Sequence, residues 1–220
     1  MIKLAIFDLD GTLVDSMSYW EIAASELIRR KGITPKEDLC DRFLSMSLPE
    51  AAKYLKENYN LQYSIDEICQ MIDDVMLEYY LTKVELKPNM LELLYNYQKL
   101  GIKMAIASST DRELIVKCID KLNIDKYFSY IITSTEIGKS KIHPDIYINC
   151  VNHFDVKNEE TLIFEDLPYG IIATKDLGFI TVGIYDKTSE KHQETLEENA
   201  EYYFKELDYS FVKAMIDVVK

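Results

Sequence analysis

The sequence predicts an α/β fold in which a parallel sheet is interrupted, after its first strand, by an inserted domain built only of helices. Three observations carry that expectation. A short apolar strand stands at the start and hands two acids to a glycine turn. The long segment over residues 15–87 shows helical periodicity and no convincing strand, and after Pro88 the chain alternates between helices and strands. A lone strand has no sheet of its own, so the first one joins the later set. The predicted division is therefore an α/β part, residues 1–14 and 88–220, and a helical domain over residues 15–87.

Residues 3–7 are short, apolar and β-compatible, the pattern of a buried strand, and they run directly into Asp8-Leu9-Asp10-Gly11-Thr12-Leu13. Gly11 permits a sharp exit. In an open parallel sheet, ligands bind beyond the carboxyl ends of the strands, so Asp8 and Asp10 are predicted to face a site. Five capping boxes mark helix starts: Ser18 with Glu21, Thr34 with Glu37, Ser47 with Glu50, Ser64 with Glu67, and Thr110 with Glu113. Apolar stripes at Ile22, Ala23, Leu27 and Ile28, and at Ile68, Met71, Ile72, Val75 and Met76, fit helices of the inserted block. Its two connections, residues 14–17 and 85–88, lie beside the acids, where a cap that opens and closes would be hinged. Further strands are predicted at residues 102–107, 130–133, 161–164 and 180–184, and the acidic run over residues 194–201 reads as a solvated helix face.

Three of those strands bring polar residues to the same edge or near it. Residues 102–107 end at Ser108-Ser109-Thr110, a hydroxyl and consecutive backbone N–H groups before a helix, which suits either a phosphate cradle or an N-cap; Thr110 is predicted to cap and Ser108 to bind. Gly138-Lys139-Ser140-Lys141-Ile142-His143-Pro144-Asp145 supplies a lysine able to neutralise a phosphate and keep a carboxylate ionised. Residues 161–164 end at Glu165-Asp166, which with Asp8 makes a hard oxygen site suited to Mg²⁺.

Composition limits the alternatives. The 220 residues are 48% hydrophobic, enough for one large core or a core with a small second domain. With 25 Lys plus Arg against 38 Asp plus Glu, the net charge of -13 and the lack of a basic patch argue against a nucleic-acid partner. Cys40, Cys69, Cys118 and Cys150 are widely spaced, with no zinc or redox pairing, as expected for reduced thiols in a cytosol. There is no leader-like or long apolar run, so a cytoplasmic protein without a membrane partner is expected. His143 and His153, ten residues apart, share no helix face and are left as structural residues rather than metal ligands.

Taken together, Asp8-Leu9-Asp10-Gly11-Thr12, the strand-end Ser108, Lys141 ahead of Pro144-Asp145, and Glu165-Asp166 resemble the haloacid dehalogenase superfamily, whose four motifs appear here in order across nearly the whole α/β part. The resemblance implies a Rossmann-like core with an inserted helical cap. It makes Asp8 the nucleophile that forms an aspartyl-phosphate and Asp10 the acid/base. Ser108 and Lys141 would hold the non-bridging phosphate oxygens, and Mg²⁺ would sit between Asp8, the Asp10 carbonyl, Asp166 and Glu165. Dehalogenases and phosphonatases of the superfamily lack the acid at the position of Asp10, which favours phosphate esters.

Within that branch, the stretch from Asp8 to Ser16 resembles the β-phosphoglucomutase subgroup, but the cap departs from the mutase. Trp20 stands where the mutase carries a histidine, and Ser45-Met46-Ser47-Leu48-Pro49 offers only Leu48 where it carries an arginine for the distal phosphate. The expected activity is a phosphatase acting on small phosphomonoesters, with a mutase or a weakly active phosphate-binding regulator as the alternatives. Candidate substrate contacts are Ser109, Tyr19, Trp20, Met46 and Arg112. Trp20 reads equally as cap packing, and Arg112 either meets a second anionic group or is an exposed first-turn side chain. The expected partner is a small phosphorylated metabolite, and the expected state a monomer.

Overall fold

A computed structural model describes residues 1–40 and 46–220. The described chain divides into two compact units, Met1–Asp15 with Glu85–Lys220, and Ser16–Val84. Ser45, part of the segment compared with the mutase, lies outside the described residues.

The first unit holds one parallel sheet of six strands: β1 (Leu4–Phe7), β2 (Lys103–Ser108), β3 (Tyr130–Thr133), β4 (Thr161–Glu165), β5 (Ile180–Ile184) and β6 (Tyr202–Phe204), in the order β3-β2-β1-β4-β5-β6. The chain builds outward from β1 on one side and then returns to the other, so the order reverses at β1 and opens a crevice at its carboxyl end. The predicted strands are present; β2 is shifted one residue towards its carboxyl end and β4 runs one residue longer, so that Ser108 and Glu165 are held by the sheet itself. The edge strand β6 was not predicted, because three half-buried residues are too few to show a period.

Both faces of the sheet are covered, as the unbroken apolar runs require. Phe7 and Phe164, register partners on β1 and β4, stack at 4.4 Å with Tyr97 and Phe128 beside them. Tyr97 comes from α4 (Met90–Lys99). The other core joins Leu4, Ile6, Ala105, Ala107 and Ile163 to Ile146, Tyr147, Cys150 and Val151 of α7 (Asp145–Phe154). The helices between these two are α5 (Arg112–Lys121) and the short α6 (Ser134–Ile137); α8 (Pro168–Thr174), α9 (Glu190–Asn199) and α10 (Tyr209–Val219) follow. On α9, Gln193 and Leu196 are buried while Glu194, Glu197 and Glu198 are exposed, so the acidic run is a solvated face.

The second unit contains α1 (Met17–Arg30), α2 (Leu48–Asn58) and α3 (Ile65–Thr82). The stripes Ala23, Leu27, Ile28 and Ile68, Ile72, Val75, Met76 are buried, whereas Ile22 is exposed. Two predicted capping boxes form: Glu50 accepts from the Ser47 N–H at 2.8 Å, and Ser64 and Glu67 exchange bonds of 2.7 and 3.1 Å. Three predicted starts are corrected. The first helix begins earlier, with the Ser16 carbonyl accepting from Tyr19 and Trp20, which leaves Ser18 inside the first turn. Helical structure after Thr34 begins only at Leu39, and the Lys36 N–H between them donates to the Tyr59 hydroxyl at 2.8 Å. Thr110 does not cap α5; Asp111 does, accepting from the Glu113 N–H at 2.9 Å, and a carboxylate is at least as good a cap as a threonine hydroxyl. Among the described residues no helix is long and apolar enough to cross a membrane.

Candidate active site

The register of three strands assembles the site. Phe7 pairs with Ile106 on one side and Phe164 on the other, and the Asp8 N–H still donates to the Phe164 carbonyl at 3.0 Å. The residues that follow these partners therefore emerge at one edge: Asp8, Ser108, and Glu165-Asp166. Beyond β1 the chain turns tightly, with Leu13 and Val14 both donating to the Leu9 carbonyl and Gly11 at φ +76°, a conformation that favours glycine.

Lys141 is the hub of the cluster. Its ammonium lies 2.6 Å from Asp8 Oδ1 and 2.8 Å from Glu165 Oε1, and all three side chains are nearly withdrawn from water. The Tyr147 hydroxyl donates to the same Glu165 oxygen at 2.6 Å. Carboxylate oxygens of Asp8, Glu165 and Asp166 lie within 4.8 Å of one another, and Asp166 Oδ2 is buried without a hydrogen-bond partner. Three carboxylates against one ammonium leave the cluster short of positive charge. Burial, with Asp8 adding to it and Lys141 opposing it, raises Glu165 to about 7. Burial and then the charges of Asp8 and Glu165 raise Asp166 well above the usual carboxylate range. Burial works against the Lys141 charge, but Asp8 and Glu165 outweigh it and raise its pKa. An all-oxygen donor set with an orphaned buried carboxylate oxygen and unbalanced negative charge fits a hard divalent cation.

Asp10 is nearly buried, and its Oδ2 accepts from the Thr110 hydroxyl at 2.6 Å. The Ser108 hydroxyl oxygen, also buried, accepts from the Thr110 N–H at 3.1 Å, ahead of α5. The structure thus brings Asp8, Lys141, Glu165 and Asp166 together and joins Asp10 to the Ser108 turn through Thr110. The other candidates are placed differently. Ser109 is exposed, 3.2 Å from the Ser134 hydroxyl. The Arg112 guanidinium is engaged by Glu136 through two bonds of 2.5 and 2.9 Å and by the Ile131 carbonyl. Tyr19, Trp20 and Met46 belong to the second unit, where Tyr19 packs on Tyr79 at 4.9 Å and the Trp20 indole N–H donates to the Tyr80 hydroxyl at 3.1 Å. His153 stacks on Tyr130 at 3.8 Å, a packing role.

Sequence reasoning missed Thr110, Tyr147, and the pair Ser189 and Gln193, which donate to the Asp166 carbonyl at 3.5 and 3.3 Å. Asp111, a strong cap immediately after Thr110, was the available signal that the threonine was free for other work. Tyr147 carried a weaker one: a phenol on the apolar face of a helix needs a partner for its hydroxyl.

Known proteins resemble this chain over most of its length. A Streptomyces hygroscopicus subsp. limoneus enzyme named validoxylamine A 7'-phosphate phosphatase is 26% identical over 184 residues, covering 84% of this chain and 86% of its own. The β-phosphoglucomutase of Bacillus subtilis is 28% identical over 189 residues, 83% of each chain. The crystal structure of β-phosphoglucomutase from Clostridium difficile covers all of both chains with a TM-score of 0.74 at 20% identity, which shows that the fold is shared. A family model described as haloacid dehalogenase-like hydrolase matches residues 5–184, a span that contains Asp8, Asp10, Ser108, Lys141, Glu165 and Asp166, and this chain belongs to that family of hydrolytic enzymes.

Proposed function

We propose that this hydrolase is a Mg²⁺-dependent phosphatase that cleaves small phosphomonoesters, sugar phosphates or nucleotide-like metabolites, through an aspartyl-phosphate on Asp8. The observation that carries the reading is the convergence of Asp8, Glu165 and Asp166 on one lysine at the sheet edge. Named phosphatases among the relatives support the same reaction, and the chain is a phosphatase of its family.

Asp8, Glu165, Asp166 and the Asp10 carbonyl would hold Mg²⁺, which when bound neutralises phosphate charge and polarises the phosphoryl group. A bond forms between an Asp8 carboxylate oxygen and phosphorus as the ester P–O bond breaks, and Asp10 gives its proton to the departing alkoxide. Asp10 then takes a proton from the water that attacks the phosphorylated Asp8. Inorganic phosphate leaves, and both carboxyl groups return to their starting states. Lys141 orients Asp8 and has a further N–H for a non-bridging phosphate oxygen, while the Ser108 hydroxyl, whose oxygen already accepts from Thr110, has its proton to donate to another. The helical unit Ser16–Val84 is proposed to act as the cap that selects substrates, with Tyr19, Trp20 and Met46 as contacts and the enzyme working as a cytoplasmic monomer.

The test is phosphate release from a panel of sugar phosphates, nucleotides and an aryl phosphate, with and without Mg²⁺, for the wild type and Asp8→Asn. Release that requires both the metal and Asp8 is expected, with Asp8→Asn slower by about 10³-fold or more. Conversion of a sugar 1-phosphate to its isomer, without net phosphate release, overturns the reading in favour of a mutase.

A further inference from the structure

Resting on the metal reading above, we infer that Tyr147 is a positioning residue that decides which oxygen of Glu165 is presented to the cation. A carboxylate at the end of a glutamate turns easily, because its terminal torsion is broad and two-fold, and its two oxygens are equivalent until something distinguishes them. Here two donors distinguish them. The Tyr147 hydroxyl at 2.6 Å and the Lys141 ammonium at 2.8 Å both bond Oε1, and among the described residues Oε2 accepts no hydrogen bond. With Oε1 occupied twice, Oε2 is the oxygen left to serve as the ligand atom in the cluster with Asp8 and Asp166.

A second observation, on a different helix, points the same way. Gly170 lies inside α8 with an ordinary helical backbone, so no unusual conformation calls for glycine there. Space does: a Cβ at that position would lie 2.0 Å from the Tyr147 hydroxyl oxygen and 3.2 Å from Glu165 Cδ. The helix gives up a side chain at the one place where the phenol meets the carboxylate. The ring of Tyr147 is fully buried among Ile6, Ile163 and Cys150, where a phenylalanine would fill the same core, so the hydroxyl is the part that packing does not explain. Partners that orient a ligating side chain typically govern metal affinity by 10–100-fold.

The experiment is calorimetric titration of Mg²⁺ into the full-length protein, with Mn²⁺ binding followed by electron paramagnetic resonance as a second probe. Tyr147→Phe is expected to weaken binding about 10-fold or more, and the same change in a Glu165→Gln background is expected to have no further effect. Tyr97→Phe, which removes another buried hydroxyl, bonded to the Met215 carbonyl, leaves affinity unchanged and controls for the loss of such a group. Gly170→Ala keeps the phenol but pushes it off Glu165 and is expected to weaken binding as well, so the inference stays testable if one variant folds poorly. A wild type that binds Mg²⁺ and a folded Tyr147→Phe that binds it within about twofold overturn this inference alone. A wild type that binds no Mg²⁺ overturns the metal reading, and this inference with it.

Discussion

Asp10 and Glu165 show how single side chains set the chemistry. The acid/base proposed for Asp10 depends on where its carboxyl is held, and the bond from Thr110 holds it. Thr110→Val keeps the shape and removes the donor; kcat is expected to fall about 10-fold, the loss of a hydrogen bond of roughly 1.4 kcal/mol, with KM little changed. Steady-state kinetics on the best substrate check this, and an unchanged kcat would show that Asp10 needs no such support. Glu165 makes a prediction about pH. An acid whose pKa is raised on folding, here from 4.5 to about 7, binds its proton more tightly when folded. Its contribution to stability is present below its ordinary value and is lost as pH rises through about 7. Melting temperatures in EDTA should therefore fall across that window, with a shallower slope in Glu165→Gln. Added Mg²⁺ should raise the melting temperature most at the upper end, where the carboxylates are ionised.

Among the elements, α5 gives the sharpest test. The Thr110–Glu113 spacing matches a capping box, yet Asp111 takes the cap and Thr110 turns to Asp10. Asp111→Ala should cost about 1 kcal/mol of stability, the usual loss for a helix cap, and leave the chemistry largely intact. Thr110→Val should do the reverse. Denaturant midpoints measured alongside kcat separate the two, and a larger stability loss for Thr110→Val would restore the threonine as the cap. Strands were easier to read than caps: β3 and β5 have the predicted bounds because a continuous apolar run ends where burial ends. Helix starts offered several serines, threonines and aspartates of similar capping quality.

At the scale of the molecule, one buried ion pair ties distant parts of the first unit together. Lys87, whose N–H donates to the Leu13 carbonyl, places its ammonium 2.8 Å from Asp186 and 2.9 Å from the Tyr185 carbonyl, just past β5. The chain leaving the helical unit is thus fastened to the loop after β1 and to the far side of the sheet. Lys87→Met strands a buried carboxylate and is expected to destabilise the protein by about 3–5 kcal/mol, read from chemical unfolding. Lys87→Met with Asp186→Leu should recover much of that loss, since an apolar pair leaves no buried charge unpaired. Asp186 also accepts from the Thr188 N–H and hydroxyl at 2.9 and 2.7 Å, so failure of the double variant to recover would assign the loss to those bonds and to packing rather than to the unpaired charge.

The linear chain determined the architecture and which polar residues stand at the strand ends. An apolar strand ending in Asp8 and Asp10, a helical block with its own capping boxes, and later strands ending at Ser108 and Glu165-Asp166 are contiguous patterns, each written in a few neighbouring residues. Tertiary structure alone decided how those acids are held. Lys141 and Glu165 are 24 residues apart and Thr110 and Asp10 are 100 apart; Thr110 meets Asp10 because β2 flanks β1 in register, and Lys141 reaches Glu165 from the segment that follows β3. The hydroxyl of Tyr147 found Glu165 because α7 lies against the sheet and Gly170 leaves room. Such partners are chosen by strand order and packing, which no local period encodes, whereas the residues they serve stand at strand ends that a local period marks.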